Sequence, residues 1–142
     1  MFQESLSEHD FRIQILVNMY HYICDDTAEK LISSLIRQVK GCYDGDFPIF
    51  LAIGESGLEI TERIRKELDL DRKLFQVCYI DRDRCKVREI TPFMINGKRI
   101  LICDSSIHTG DSVAIVRKYL LSRKAKEVKV LSLVVKRNSH RS

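Results

Sequence analysis

Arg99-Ile-Leu-Ile-Cys-Asp104-Ser-Ser-Ile-His108-Thr-Gly110-Asp-Ser112, running on into Val113-Ala-Ile-Val-Arg-Lys-Tyr-Leu120, decides the fold of this chain. Four apolar residues in a row predict a buried strand, the polar stretch after Asp104 a loop, and the rest a helix. Such a loop aims several backbone N–H groups at one point, which holds phosphate without needing a cation. Asp104, at the strand end, could bind a sugar hydroxyl or a hydrated Mg²⁺. A carboxylate beside a phosphate cradle points to a phosphorylated sugar. The plainer alternative is a well-capped helix start, with Asp111 or Ser112 as the cap.

Outward from this stretch the chain alternates between strand and helix signals. Residues 11–23 partly alternate, and their pattern suits a strand or a helix equally. Asp26-Thr-Ala-Glu29 has the form of a capping box. The helix it opens, Thr27 to Lys40, places Ala28, Leu31, Ile32, Leu35, Ile36 and Val39 on one face and is expected to stop at Gly41. Residues 42–47 read as a polar turn and Pro48 to Ile53 as a strand buried on both faces. Gly54-Glu-Ser-Gly57 reads as a loop before an amphipathic helix over Leu58 to Leu68.

Leu74 to Ile80 is the next strand and Asp81-Arg-Asp-Arg-Cys-Lys86 a loop or hairpin tip, with Arg82 and Arg84 either solvated or touching a phosphate. Val87 to Phe93 suggests a short antiparallel strand, and Asn96-Gly97 a turn. Arg99 to Cys103 is the central strand, Gly110 to Arg123 a helix and Val128 to Val135 the last strand. The pattern predicts one α/β domain over residues 1–142, a parallel sheet with helices on both faces. Ligands of such sheets sit at the C-terminal strand ends, where Gly54–Gly57 and the loop after Asp104 both fall.

Composition narrows the function classes. At 142 residues, 44% hydrophobic and 31% charged, the chain suits a globular domain with a proper core. It has no apolar run long enough for a membrane span and no signal-like N-terminus, so a cytosolic protein is expected. Its five cysteines contain no Cys-x-x-Cys pair. They read as reduced, with Cys78 and Cys103 in the core and no zinc site. Residues 117–141 carry nine Lys/Arg against the single acid Glu127, a local +8 in a chain of net +4, so the remainder carries −4. That quarter reads as a solvated face and tail, or as a surface for RNA or another polyanion.

Four segments, taken in order, resemble the type I phosphoribosyltransferases, nearest to the hypoxanthine-guanine branch. Ile100-Leu-Ile-Cys103, Asp104 and Thr109-Gly110-Asp111-Ser112 resemble the family's phosphoribosyl-pyrophosphate signature. Tyr22-Ile-Cys-Asp-Asp-Thr-Ala-Glu29 is similar to the lead into that branch's first helix. Gly54-Glu-Ser-Gly57 takes the place of its pyrophosphate loop, and Val128 to Arg137 is similar to its strand carrying a purine-contacting lysine, here Lys136.

The resemblance implies a Rossmann-like phosphoribosyltransferase fold, a homodimer, and transfer of phosphoribose between pyrophosphate and a nucleobase with Mg²⁺. It implies that amides of His108 to Ser112, beginning beside Ser105 and passing through Gly110 and Asp111, hold the 5′-phosphate with the Thr109 and Ser112 hydroxyls. Asp104 binds the ribose diol directly or through the metal. Glu55, Ser56 and Gly57 face the pyrophosphate, where the family often uses a strained or cis peptide. Lys136 reaches an exocyclic oxygen of the base.

The departures from the family's pattern are as specific. Ser105 stands for the second acid of the signature, and His108 for an aspartate at the base, where it serves as general acid/base or only as a phosphate donor. Glu55 stands for a lysine, and a carboxylate there repels pyrophosphate by about 1 kcal/mol or more unless metal intervenes. The family's mobile loop is cut to Asp81–Lys86. The residues following Lys136 hold no counterpart of the hood, so a reduced hood is expected. Two readings therefore stand: a phosphoribosyltransferase, or an inactive regulatory module of the same fold that binds a nucleotide, with RNA as a further partner.

Overall fold

The computed structural model describes residues 12–19, 25–104 and 111–137. Its elements are β1 (Arg12–Met19), α1 (Asp25–Tyr43), β2 (Ile49–Ile53), α2 (Gly54–Leu68), β3 (Phe75–Asp81), β4 (Lys86–Ile90), β5 (Arg99–Asp104), α3 (Asp111–Ser122) and β6 (Glu127–Arg137). A single turn of 3₁₀ helix, Arg72–Leu74, leads into β3. The six strands form one sheet in the order β1-β6-β5-β2-β3-β4. All neighbours run parallel except β3 and β4, which form an antiparallel hairpin.

Helices cover both faces, as the alternation predicts. Along β2, Phe50 faces one cluster while Leu51 and Ile53 face the other; along β5, Leu101 and Cys103 alternate likewise with Ile100 and Ile102. This is why both strands read as unbroken apolar runs: neither face of either strand meets water. The first cluster is closed by Leu35, Ile36 and Val39 of α1 and Ile60 and Ile64 of α2. The second is closed by Val113, Val116 and Leu120 of α3.

Three local readings are corrected. Residues 12–19 form a strand, paired in parallel with β6 from Arg12 opposite Val130 to Met19 opposite Arg137. Helix α1 starts at Asp25 and passes through Gly41 to Tyr43. The buried Tyr43 ring anchors that extra turn, lying 6.2 Å from Phe47, which lies 6.2 Å from Phe50, which stacks on Phe75 at 4.6 Å. The stop comes at Asp44, in left-handed conformation at φ 47, whose N–H bonds to the Lys40 carbonyl. Residues 42 and 43 therefore belong to the helix rather than to a polar turn.

The third correction concerns Gly54-Glu-Ser-Gly57, which is the first turn of α2 and not a loop. Gly54, at φ +68, turns the chain from strand to helix with no intervening residue. Gly57 is needed for a different reason. A Cβ built on it would lie 2.6 Å from the Cys103 carbonyl oxygen and 3.3 Å from Ala52 backbone atoms, so the helix start rests directly on β2 and β5. No helix of the described residues is long and apolar enough to cross a membrane.

Candidate functional site

The C-terminal ends of β2, β3 and β5 deliver three segments to one edge of the sheet: the head of α2, the β3–β4 hairpin and the chain leading to α3. Asp104 ends β5 with only 5% of its surface exposed. Its charge is felt by its neighbours. Burial first, and then the Asp104 carboxylate, push the Cys78 thiol up to about 12 and raise Cys103 as well. Ser112 opens α3 and is equally buried, at 3%. It accepts a hydrogen bond of 3.1 Å from Nη2 of Arg82, which reaches over from the hairpin. Asp111 beside it is exposed in the first turn, where a carboxylate suits the positive end of the helix.

The hairpin is as short as the sequence predicts: Asp81 pairs with Lys86, leaving residues 82–85 as the whole connection. Its two arginines part. Arg84 stays with Asp81, donating its backbone N–H at 3.2 Å, with Nε 3.8 Å away from the carboxylate. Arg82 crosses to Ser112.

On the other side of the edge, Glu55 is exposed in the first turn of α2 and accepts a 3.1 Å hydrogen bond from the Tyr79 hydroxyl. That bond raises the pKa of Tyr79, whose ring lies 5.6 Å below the Arg88 guanidinium. The carboxylate at the pyrophosphate position is thus fastened to β3. Glu55 and Ser56 also line a cavity of about 640 Å³ that runs down α2 past Glu59 and Glu62 to Arg63, against Ile32 of α1. Gly57 is buried against β5. The described residues contain no cis peptide bond.

The structure therefore brings together Asp104, Asp111, Ser112, Glu55, Ser56 and Gly57 of the expected site. Ser105, His108, Thr109 and Gly110 lie outside the described residues. Lys136 is placed by its backbone alone, on β6 opposite Asn18. Two contacts were not foreseen. The Tyr79–Glu55 bond had no signal, since Tyr79 sits inside an apolar run. The Arg82–Ser112 bond had a partial one, the charged hairpin tip.

Comparison with solved structures reveals the same architecture elsewhere. A purine phosphoribosyltransferase from Pyrococcus horikoshii superposes with a TM-score of 0.61 at 20% identity, covering 84% of this chain and 77% of that one. A hypoxanthine-guanine phosphoribosyltransferase from Bacillus anthracis gives 0.68 at 13% identity, covering 85% and 75%. The chain has the type I phosphoribosyltransferase fold. A hypoxanthine phosphoribosyltransferase from Staphylococcus aureus extends the likeness, with a TM-score of 0.63 at 16% identity over 80% of this chain and 68% of that one. No protein-family profile and no curated sequence matches the chain. On this phosphoribosyltransferase fold, Asp104 and Ser112 flank the loop between β5 and α3, and Glu55 opens the helix after β2.

Proposed function

We propose that this chain is a divergent phosphoribosyltransferase that binds a 5′-phosphorylated ribose at the end of β5. The observation that carries the proposal is the buried Asp104 carboxylate at the strand end. Ser112, equally buried, opens the following helix, on a fold shared with purine phosphoribosyltransferases. In this reading the amides at the head of α3 and the Ser112 hydroxyl hold the 5′-phosphate. Asp104 holds the ribose diol, and the loop residues Ser105, His108, Thr109 and Gly110 complete the cradle.

A nucleobase nitrogen then forms a bond to the anomeric carbon as the bond to pyrophosphate breaks. Lys136 reads the base, and His108 holds or moves its proton. Positioning and charge stabilisation supply most of the rate. The described residues hold no cluster of three or more His, Cys, Asp or Glu that could cage a metal. Mg²⁺ needs no cage when it takes one carboxylate together with substrate oxygens, and Asp104 fits that role. When bound, Mg²⁺ would neutralise charge on the departing pyrophosphate. The reading carries with it a cytosolic homodimer, supported by the scattered, unpaired cysteines and by the family resemblance.

A second reading, a nucleotide-binding regulatory module without turnover, is favoured by Glu55. Its carboxylate, tied to Tyr79, stands where pyrophosphate would lie. Release of pyrophosphate from phosphoribosyl pyrophosphate, with Mg²⁺ and each common base in turn, separates the two. Base-dependent release supports the enzyme. Binding of nucleoside monophosphates without any release assigns the regulatory reading.

A further inference from the structure

The two arginines of the β3–β4 hairpin have different fates, and the difference points to a ligand group. Arg84 is neutralised by Asp81. Arg82 bonds to a hydroxyl, and among the described residues it has no carboxylate partner. Its guanidinium stands at the first turn of α3, where unpaired N–H groups already make a positive pole. Two positive sources converging on one point repel each other unless an anion lies between them. Ser112 adds to this: its oxygen accepts from Arg82, so its own O–H is left to donate to a ligand oxygen.

We infer that Arg82 is a side-chain ligand of the phosphate bound at the head of α3. The group it takes is a phosphomonoester dianion, such as that of ribose 5-phosphate or a nucleoside monophosphate. The inference rests on the proposed function and deepens it. A planar guanidinium holds Ser112 with one nitrogen and offers the others to phosphate oxygens, which a lysine cannot do at once. Binding therefore fastens the hairpin to α3 and brings a cation to the edge of the sheet where Glu55 has replaced one.

The test is calorimetric titration of ribose 5-phosphate into the full chain as wild type, R82Q, R82K and R84Q, at low and moderate salt. R82Q is expected to weaken binding roughly 10- to 100-fold, the loss of one charge-assisted contact. R82K recovers only part of this, and R84Q binds like wild type. The Arg82 side chain is on the surface, so melting temperatures of all four proteins coincide if folding is intact. R82Q binding as tightly as wild type overturns the inference and leaves the phosphate site standing. Equal weakening in R82Q and R84Q also overturns it, assigning the effect to the hairpin's general field. No binding by the wild type removes the site itself, and the inference with it.

Discussion

Replacing Gly57 by alanine tests the central packing contact at the site, because the direction and size of its effect follow from the geometry. The added Cβ would stand 2.6 Å from the Cys103 carbonyl oxygen, where ordinary contact begins near 3.4 Å, and 3.3 Å from two backbone atoms of Ala52. Every neighbour is backbone of a central strand, so no side-chain rotamer can absorb the shortfall. The head of α2 must lift away from β2 and β5 by several tenths of an ångström. Overpacking of this kind costs about 1–3 kcal/mol. With an unfolding entropy of about 2.1 cal/mol/K per residue, 2 kcal/mol lowers the melting temperature of a 142-residue chain by roughly 5–8 °C.

Gly41→Ala supplies the opposite sign in the same protein. Gly41 is exposed inside α1 with nothing within 4 Å of its built Cβ, so alanine gains about 0.5–1 kcal/mol of helix propensity. Scanning calorimetry of the two variants reads both shifts. A Gly57→Ala protein that melts at or above the wild-type temperature refutes the close approach of α2 to β5.

Other outcomes follow from the same geometry. The Tyr43 hydroxyl is buried without a hydrogen-bond partner among the described residues, so Tyr43→Phe should be neutral or stabilise by about 1 kcal/mol in urea titration; a clear loss would expose a missed partner. Native alkylation at pH 8, read by peptide mass spectrometry, should label the exposed Cys42 and Cys85 and spare Cys78 and Cys103, whose thiols burial holds neutral. The folded pKa of Cys78 is raised above the unfolded one. Its contribution to stability is therefore complete below about pH 9 and lost as pH rises toward about 12. The urea midpoint should fall through that window, and less steeply in Cys78→Ala. Glu55→Gln should strengthen binding of phosphoribosyl pyrophosphate several-fold, about the 1 kcal/mol of repulsion removed, while leaving ribose 5-phosphate unchanged; equal affinities for both ligands would move Glu55 away from the pyrophosphate.

The elements most legible in the sequence were those whose burial is uniform. β2 and β5 are dry on both faces and announce themselves as apolar runs, and α3 follows from its position after them. The site was legible to the extent that it sits at the ends of those strands. β1 was ambiguous because Arg12-Ile-Gln-Ile-Leu-Val-Asn-Met19 alternates only in part, as suits the edge of a parallel sheet. The end of α1 was misplaced because Gly41 has a helix-stopping identity, while the packing of Tyr43 on Phe47 overrides it. Gly54–Gly57 looked like a loop because glycines usually mark one. Only the backbone contact with Cys103, a residue distant in sequence, reveals why Gly57 is there. Likewise Arg82 and Ser112 are 30 positions apart, and no local pattern couples them.

The most direct measurement on the central claim is calorimetric titration of phosphoribosyl pyrophosphate, ribose 5-phosphate and a nucleoside monophosphate into the wild-type protein, with and without Mg²⁺. A site for phosphorylated ribose predicts saturable binding of all three, lost in Asp104→Asn for the ribose diol's share, with phosphoribosyl pyrophosphate gaining most from the metal. Absence of binding by every ligand under both conditions would contradict the account and leave the segment from Asp104 to Ser112 as no more than a strand–helix connection.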